Sequence, residues 1–535
     1  MIPYLFLEEN KKTDIYNYNT IILYIMLWTE KASKILKKYF GYTELKEKQY
    51  SVINELLLGN DVIVLLPTGY GKSMCYILPP LVTKKTMVII SPLISLMEDQ
   101  KDKLNQIGIP VSALNSNNTN KQDEIEQILD GDIKIIYMSP EYLIEGDGLK
   151  IVDKLIASEQ LGFLAVDESH CLSSWGHDFR PNYLKLAEFR DLYPQIPILA
   201  VTATAKQQVI TDIEKFLKLN NPEIIRANFD RPNLFLDIKE LPQLSEKIKP
   251  KFKKDEKYNM KANLIKYWIN KYPNERIIVY VNSRDDSENI SDALNKIIPN
   301  CSESYHAGLS KKQRENVHSQ FADATTKIII ATIAFGMGID QVVKCVIIFG
   351  CPSSIEEYYQ EIGRAGRDGL DAHTVLYYDK DAANRTYFVI KNDKDKSKQK
   401  INDNKIKNLN IVKNYVEFKL CRRHFILDYF GLKKNYFAYN GFNCSKCDNC
   451  LKKNLVDVTT YMYDYCINKK YNKTAYNAIN DYKLKPIITD WEKYVNFKKC
   501  TLENIPDELR IKLPDIIIET NTNNDIYDKY KDIKL

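Results

Sequence analysis

Residues 61–73, DVIVLLPTGYGKS, set two glycines, a lysine and a hydroxyl directly behind an apolar run. That order suits a phosphate. Gly69 and Gly71 let the backbone wrap an anion with its N–H groups inward, Lys72 reaches toward the β- and γ-phosphates, and Ser73 binds Mg²⁺. A helix starting there adds the positive end of its dipole. The pattern usually opens on glycine, and here that place is Leu66, so the motif rests on its strand context and the intact Gly-Lys-Ser. The expected loop is Leu66, Pro67, Thr68, Gly69, Tyr70, Gly71, Lys72 and Ser73. Further on, FLAVDESH (163–170) ends an apolar run in two carboxylates. Asp167 is placed to enter a Mg²⁺ shell, and Glu168 to orient or deprotonate an attacking water. The segment YYQEIGRAGRDG carries Arg364 and Arg367 three apart, a spacing that shares a helix face. An arginine that reaches a γ-phosphate contributes about 10³ or more in rate.

A second chemistry lies in CRRHFILDYFGLKKNYFAYNGFNCSKCDNC (421–450). Cys421 is expected on a helix, with Cys444, Cys447 and Cys450 on a tight loop. Tetrahedral Zn²⁺ takes four thiolates at about 2.3 Å, and C-x₂-C lets one turn present two sulfurs. Four thiols close the shell, which makes the metal structural. His424 reads as a bystander. The aromatic stretch HCLSSWGHDFRPNY, residues 170 to 183, follows the acidic pair directly. Its rings either plug a core or offer flat faces to bases.

Elements must hold these groups in place. From about residue 50 to 230, short apolar runs (DVIVLL, TMVIIS, IKIIYMS, LGFLAVD, IPILAVTAT) alternate with helix-like segments, and a second block (ERIIVYVNS, KIIIAT, KCVIIFG, HTVLYYD) repeats the pattern. Strands alternating with helices imply parallel sheets covered on both faces. The expected fold class is α/β, with two tandem parallel-sheet lobes followed by a small helical Cys₄ domain. Thr29 reads as the N-cap of a helix ending at Gly41. Residues 1–28 read as an extension, and 241–262, rich in charge, as a surface insertion.

The chain has 535 residues, too many for one ordinary domain. A net charge of +6 against 76 basic and 70 acidic residues does not by itself indicate nucleic acid. The apolar run IILYIMLW (21–28) falls well short of the roughly 20 residues a membrane helix needs. No basic n-region or cleavage signal precedes or follows it. A soluble intracellular protein without membrane contact is expected. Its 11 cysteines then read as thiols or metal ligands.

Taken in order, QYSVINELLLGNDVIVLLPTGYGKSMCYILP, SPLISLMEDQ, DESHCLSSWGHDFRPNY, TATA, YVNSR, HAGLS, ATIAFGMGID and QEIGRAGRDG resemble a superfamily 2 helicase, and in particular the RecQ family of DNA helicases. The resemblance runs from about residue 30 to 451. It implies two RecA-like lobes, ATP and Mg²⁺ as cofactors, structural Zn²⁺, and single-stranded and duplex DNA as partners. It implies 3′-to-5′ unwinding in repair, recombination or replication, in the nucleus or wherever DNA is replicated. By similarity Gln49 contacts adenine, and Lys72, Asp167, Glu168, Arg364 and Arg367 are catalytic. Gly338 and Asp340 link nucleotide to DNA. His170, Trp175, His177, Phe179 and Arg180 form an aromatic-rich DNA sensor, and stacking there is worth about 1–3 kcal/mol per base. Cys421, Cys444, Cys447 and Cys450 hold the zinc. The implied divisions are an extension (1–28), lobe 1 (29–229), lobe 2 (230–380), a zinc domain (381–455) and a C-terminal region (456–535). That last region has room for a degenerate winged helix with a disordered tail. Two features depart from the family: Lys46 stands where an arginine is usual, and no β-wing is identifiable. An RNA helicase, or a DNA-stimulated ATPase that does not separate strands, is the competing expectation.

Overall fold

The computed structural model describes residues 14–115, 121–173, 180–203, 206–244, 253–332, 335, 341–393, 399–419, 421–431 and 444–451. They fall into two compact units. One holds the chain up to Phe229 and Lys239–Val412, and the other combines Asp230–Ile238 with the chain from Lys413 onward.

The first unit contains two parallel sheets. The N-terminal sheet is built from β1 (Val62–Leu65), β2 (Thr86–Ile90), β3 (Val111–Leu114), β4 (Ile135–Met138), β5 (Leu161–Val166), β6 (Ile198–Thr202) and β7 (Glu223–Arg226), in the order β3-β4-β2-β5-β6-β1-β7. All of its strands but β7 are buried along their length, as expected where helices cover both faces. The chain then runs through β8 (Leu234–Glu240), most of which belongs to the second unit, and the strands of the next sheet that lie within the first unit are β9 (Ile277–Tyr280), β10 (Ser302–Tyr305), β11 (Ile328–Ala331), β12 (Cys345–Gly350) and β13 (Ala372–Tyr378), in the order β10-β11-β9-β12-β13. Val64 pairs with Val201 of β6 and Ile225 of β7, which places β1 between them, one strand in from the edge, and aims its C-terminal end, residue 66 onward, out of the sheet.

One buried carboxylate fixes the start of β1. Asp61 accepts from Arg190 Nη2 (2.6 Å), Ile198 N (2.8 Å) and Asn220 N (2.7 Å), so it ties β1 to the segments entering β6 and β7. Removing one partner of a buried pair costs about 3–5 kcal/mol. Asp61→Ala is therefore expected to lower stability by about that amount, read as an earlier denaturant midpoint for the first unit. An unchanged midpoint would show that the network contributes nothing.

Three local expectations are corrected. Thr29 is not an N-cap: the helix starts at Asp14 and runs to Ile35, and Thr29 Oγ1 bonds back to Ile25 O at 2.9 Å. A short π-turn (Leu36–Phe40) follows and ends at Gly41 with φ 71°, the left-handed stop that the sequence does signal. Trp28, from the run expected to be an extension, is buried and stacks on Tyr50 at 5.0 Å. The expected surface insertion is partly core, since the helix Lys253–Lys271 buries Tyr258, Ala262, Ile265 and Trp268 against β9, β12 and β13. Among the described residues, no helix is long and apolar enough to cross a membrane.

The second unit is held by arginines. Arg423 Nη1 pairs with Asp230 Oδ1 (2.8 Å) and its Nη2 donates to Leu234 O (2.6 Å), joining the segment 230–238 to the helix Arg422–Tyr429. Leu236 forms a parallel bridge with Cys447.

Candidate active site and metal centre

The loop after β1 turns back on itself. Leu66 N donates to Thr202 O (3.1 Å) and Tyr70 N to Pro67 O (3.1 Å). Gly69 (φ 82°) and Gly71 (φ 91°) take left-handed conformations that side chains disfavour. The helix Met74–Thr83 starts directly after Ser73. Gln49 braces the loop. Its Nε2 donates to Gly71 O (3.0 Å) and its Oε1 accepts from Lys46 N (2.9 Å). A Cβ on Gly71 would stand 2.6 Å from Gln49 Nε2, the movable end of that side chain, so the left-handed backbone is the stronger reason for glycine there. Lys46 Nζ also reaches Tyr70 O at 3.0 Å, so the departure from arginine still contacts the loop.

β5 delivers the acids. Asp167 is buried; it accepts from Glu168 N (2.9 Å) and from the Tyr76 hydroxyl (3.3 Å). Burial pushes its carboxyl up to about 6, the Glu168 charge adds to this, and the Lys72 ammonium opposes it. Glu168 sits at φ 47°, a strained place for a non-glycine residue and one common at functional sites. Lys72 Nζ lies 3.3 Å from Glu168 Oε1, so the lysine balances the acid charge across the cleft. His170 is buried, with Nδ1 3.2 Å from Glu168 Oε2 and 3.3 Å from Thr202 Oγ1. Burial works against the imidazolium there, but Cys171 and Glu168 favour it more strongly and the balance rises to about 10.

The second sheet contributes the arginines. The helix Ile355–Ile362 ends at Gly363. Arg364 and Arg367 therefore do not share a helix face as their spacing suggests. Ala365 bridges Val343, Gly366 N donates to Val343 O (2.9 Å), and Gly366 takes φ 57°. The two glycines break the helix and the bridge pins the turn. Arg364 lies beside the Tyr280 hydroxyl and Glu361. The Arg367 stem crosses the phosphate loop: a Cβ on Gly69 would meet its Cγ at 3.4 Å, and one on Gly363 would meet Thr68 Cβ at 3.1 Å. Two further contacts join the lobes. Tyr359 OH donates to Phe229 O (2.6 Å), and Lys206 Nζ pairs with the buried Glu356 Oε1 (3.0 Å).

The structure thus gathers Gln49, the loop 66–73, Asp167, Glu168, His170 and Arg367 around one cleft. Arg180 donates to Pro92 O at 2.6 Å. Trp175, His177, Phe179, Gly338 and Asp340 lie outside the described residues. Three side chains escape a reading by motif. Tyr76 touches Asp167, Thr202 touches His170, and the buried Tyr183 donates to Asp167 O (3.3 Å). Tyr76 and Thr202 sit in largely apolar runs and Tyr183 at the end of the aromatic stretch 170–183, and in none of these does a lone hydroxyl name its partner until the fold supplies it.

Asp167 and Ser73 could hold Mg²⁺. A carboxyl that burial, and then its acidic neighbour, push up is one that a divalent cation would stabilise in its charged form. At limiting Mg²⁺, kcat/KM for ATP hydrolysis is expected to fall as pH drops below about 6, because a protonated Asp167 must give up its proton to admit the ion. Its folded value exceeds the ordinary 3.8, so its stabilising effect is present at low pH and lost as pH rises through about 6. A steady-state pH profile in saturating DNA and limiting Mg²⁺ checks the first statement, and a flat profile down to pH 5 would contradict it.

In the second unit Cys421, Cys444, Cys447 and Cys450 bring their sulfurs within 4.8 Å of one another. Cys421 caps the helix Arg422–Tyr429, Ser445 takes φ 52° to turn the loop, and Cys450 lies in a short helical turn (Asp448–Leu451). The buried Arg422 donates from Nε to Asp448 Oδ1 (3.0 Å) and from Nη1 to Val416 O (3.0 Å), clamping this loop. The set fits tetrahedral Zn²⁺ with no open position. His424 is not among the four.

A paired parallel-sheet architecture with a glycine loop, an acidic strand end and an arginine facing that loop defines an ATP-using helicase of the two-lobe type. Family models agree: DEAD/DEAH box helicase over residues 46–213, helicase conserved C-terminal domain over 258–369, and RecQ zinc-binding over 379–451. The chain is 35% identical to the ATP-dependent DNA helicase RecQ of Haemophilus influenzae over 467 residues, 85% of this chain and 70% of that one. It is 37% identical to the RecQ of Pasteurella multocida, covering 78% of this chain and 62% of the relative. It is 38% identical to protein R290 of Acanthamoeba polyphaga mimivirus, whose name assigns it to RNA, covering 80% and 74%. The crystal structure of the DUF1998 helicase MrfA bound to DNA and AMPPNP shares the fold, with TM-score 0.54 and 19% identity over 68% of this chain and 52% of that one. The chain belongs to the RecQ family of superfamily 2 helicases.

Proposed function

We propose that this chain couples ATP hydrolysis between its two lobes to 3′-to-5′ movement on single-stranded DNA, and that this movement separates duplex strands. The observation that carries the reading is Arg367 crossing the loop that also presents Lys72. Lys72 binds the β- and γ-phosphates in place of its present contact with Glu168, which frees that carboxylate to orient water. Ser73 and Asp167 would hold Mg²⁺, which would neutralise phosphate charge. Arg367 stabilises the charge developing on the γ-phosphoryl group, and Arg364 positions the turn beside it. Gln49 faces the adenine while bracing the loop.

His170, Trp175, His177, Phe179 and Arg180 form the DNA sensor, and Gly338 and Asp340 join it to the nucleotide. His170 is suited to this, because it touches Glu168 and opens the segment that carries the aromatic residues. Residues 29–229 and 230–380 form the motor and 381–455 its zinc-stabilised extension, while the C-terminal region 456–535, expected to hold a degenerate winged helix, lies outside the described residues. Service in DNA repair, recombination or replication, in the compartment that holds the DNA, follows from this activity.

The test is strand separation with ATP and Mg²⁺ on duplex DNA bearing a 3′ or a 5′ tail, with a matched RNA duplex and a Lys72→Ala control. Unwinding of 3′-tailed DNA alone, lost in the variant, is expected. Equal unwinding of RNA would favour the RNA reading that the mimivirus relative's name raises. DNA-stimulated hydrolysis without unwinding would leave a translocase.

A further inference from the structure

The second sheet has a face that the ATP reading does not use. Val279 and Val281 pack beneath the helix Lys253–Lys271, whereas Tyr280 between them turns to the other side, where its hydroxyl bonds Phe335 O and lies by Arg364. On the helix side, the carboxyl ends of β9, β12 and β13 open into a cavity of about 300 Å³. Ligands of open α/β sheets bind at such strand ends.

The cavity is built for an anion. Lys254, Lys257, Lys261 and Arg385 line it against only two carboxylates, Asp286 and Asp379, which leaves two positive charges in excess. Lys257 lies 2.8 Å from Asp379, and Lys261, only 4% exposed, lies 3.3 Å from Asp286 and over the Phe349 ring. A buried ammonium kept charged beside one carboxylate is costly unless something else draws on it. Two helices also begin here. Ser283 Oγ accepts from Asp286 N and Asp379 Oδ1 from Ala382 N, so both caps direct N-terminal dipoles toward the cavity. Gly350, at φ 121°, leaves room for the Asn282 amide; a Cβ would stand 2.4 Å from its Nδ2. That amide lines the wall as a further donor.

We propose that this cavity binds a terminal phosphate group, the monoester or pyrophosphate end of a nucleotide or of a DNA strand. A monoester carries nearly two negative charges and has one esterified oxygen, so it matches the charge excess and can reach the deep Lys261. An internal phosphodiester carries one charge and a sugar on each side. The volume lies at the small end of the roughly 300–1,000 Å³ typical of ligand sites, which leaves little room for both sugars.

The test uses the full chain with its nucleotide cleft saturated by ADP and Mg²⁺. Inorganic pyrophosphate is titrated by calorimetry into the native protein and into Lys257→Gln/Arg385→Gln. Lys254→Gln serves as a milder second variant, and thermal melts confirm that all remain folded. A single saturable site, weakened at least tenfold by the double variant, is expected. In a second arm, oligonucleotides of one sequence carry a phosphate or a hydroxyl at either end. A preference for a phosphorylated end that the double variant loses assigns the site to strand ends. Pyrophosphate binding without that preference assigns it to free nucleotides. Three results overturn the proposal: pyrophosphate binding indifferent to the variant; neither pyrophosphate binding nor an end preference; or equal weakening of all DNAs without pyrophosphate binding, the mark of a backbone groove.

Discussion

Arg367→Ala lowers DNA-stimulated ATP hydrolysis by about 10³-fold or more, with nucleotide binding changed only a few fold. Its stem lies against the backbone of Gly69, so the guanidinium reaches the loop from the opposite lobe. A group placed there contributes chiefly where charge develops, which affects kcat more than KM. Arg367→Lys recovers little, because an ammonium keeps the charge but not the planar fork. Single-turnover hydrolysis beside a fluorescent-nucleotide titration separates the two effects. Equal losses in binding and turnover would make Arg367 an ordinary binding residue.

Cys447→Ser is expected to release the metal and unfold the second unit. Cys447 is fully buried, its sulfur accepts from Cys450 N (3.4 Å), and its strand position pairs with Leu236. Structural zinc contributes an apparent 10–16 kcal/mol in small zinc domains, far more than one cavity or hydrogen bond. Metal analysis should fall from one zinc per chain to none, with rapid proteolysis within the second unit. Cys301→Ser, a thiol outside the cluster, should change neither. A folded, zinc-free Cys447→Ser protein would show that the arginine clamp at Arg422 and Asp448 suffices without the metal.

Much of this arrangement was legible in the chain, for identifiable reasons. Strands buried on both faces, such as VIVL in β1 and CVIIFG in β12, are continuous apolar runs and stand out. β10 (SESY) and β7 (EIIR) do not, because edge positions accept polar and exposed residues. The four cysteines were readable because metal geometry dictates their spacing. The arginine pair was visible as a spacing but not as a conformation. Spacing alone suggests a helix, and only the Ala365–Val343 bridge shows that the chain has left one. Thr29 misled in the opposite way, since a good capping residue also fits mid-helix when its hydroxyl bonds back one turn.

The Lys206–Glu356 contact has a bearing on ionic strength. Glu356 is 2% exposed, so dissolved ions reach this pair poorly, whereas binding to a DNA backbone releases counterions and weakens steeply as salt rises. Raising salt should therefore strip the track from the motor before it parts the lobes. Over that interval the protein would be engaged with its fuel but idle on DNA. The same salt concentration would then read as tight or loose according to which partner was followed.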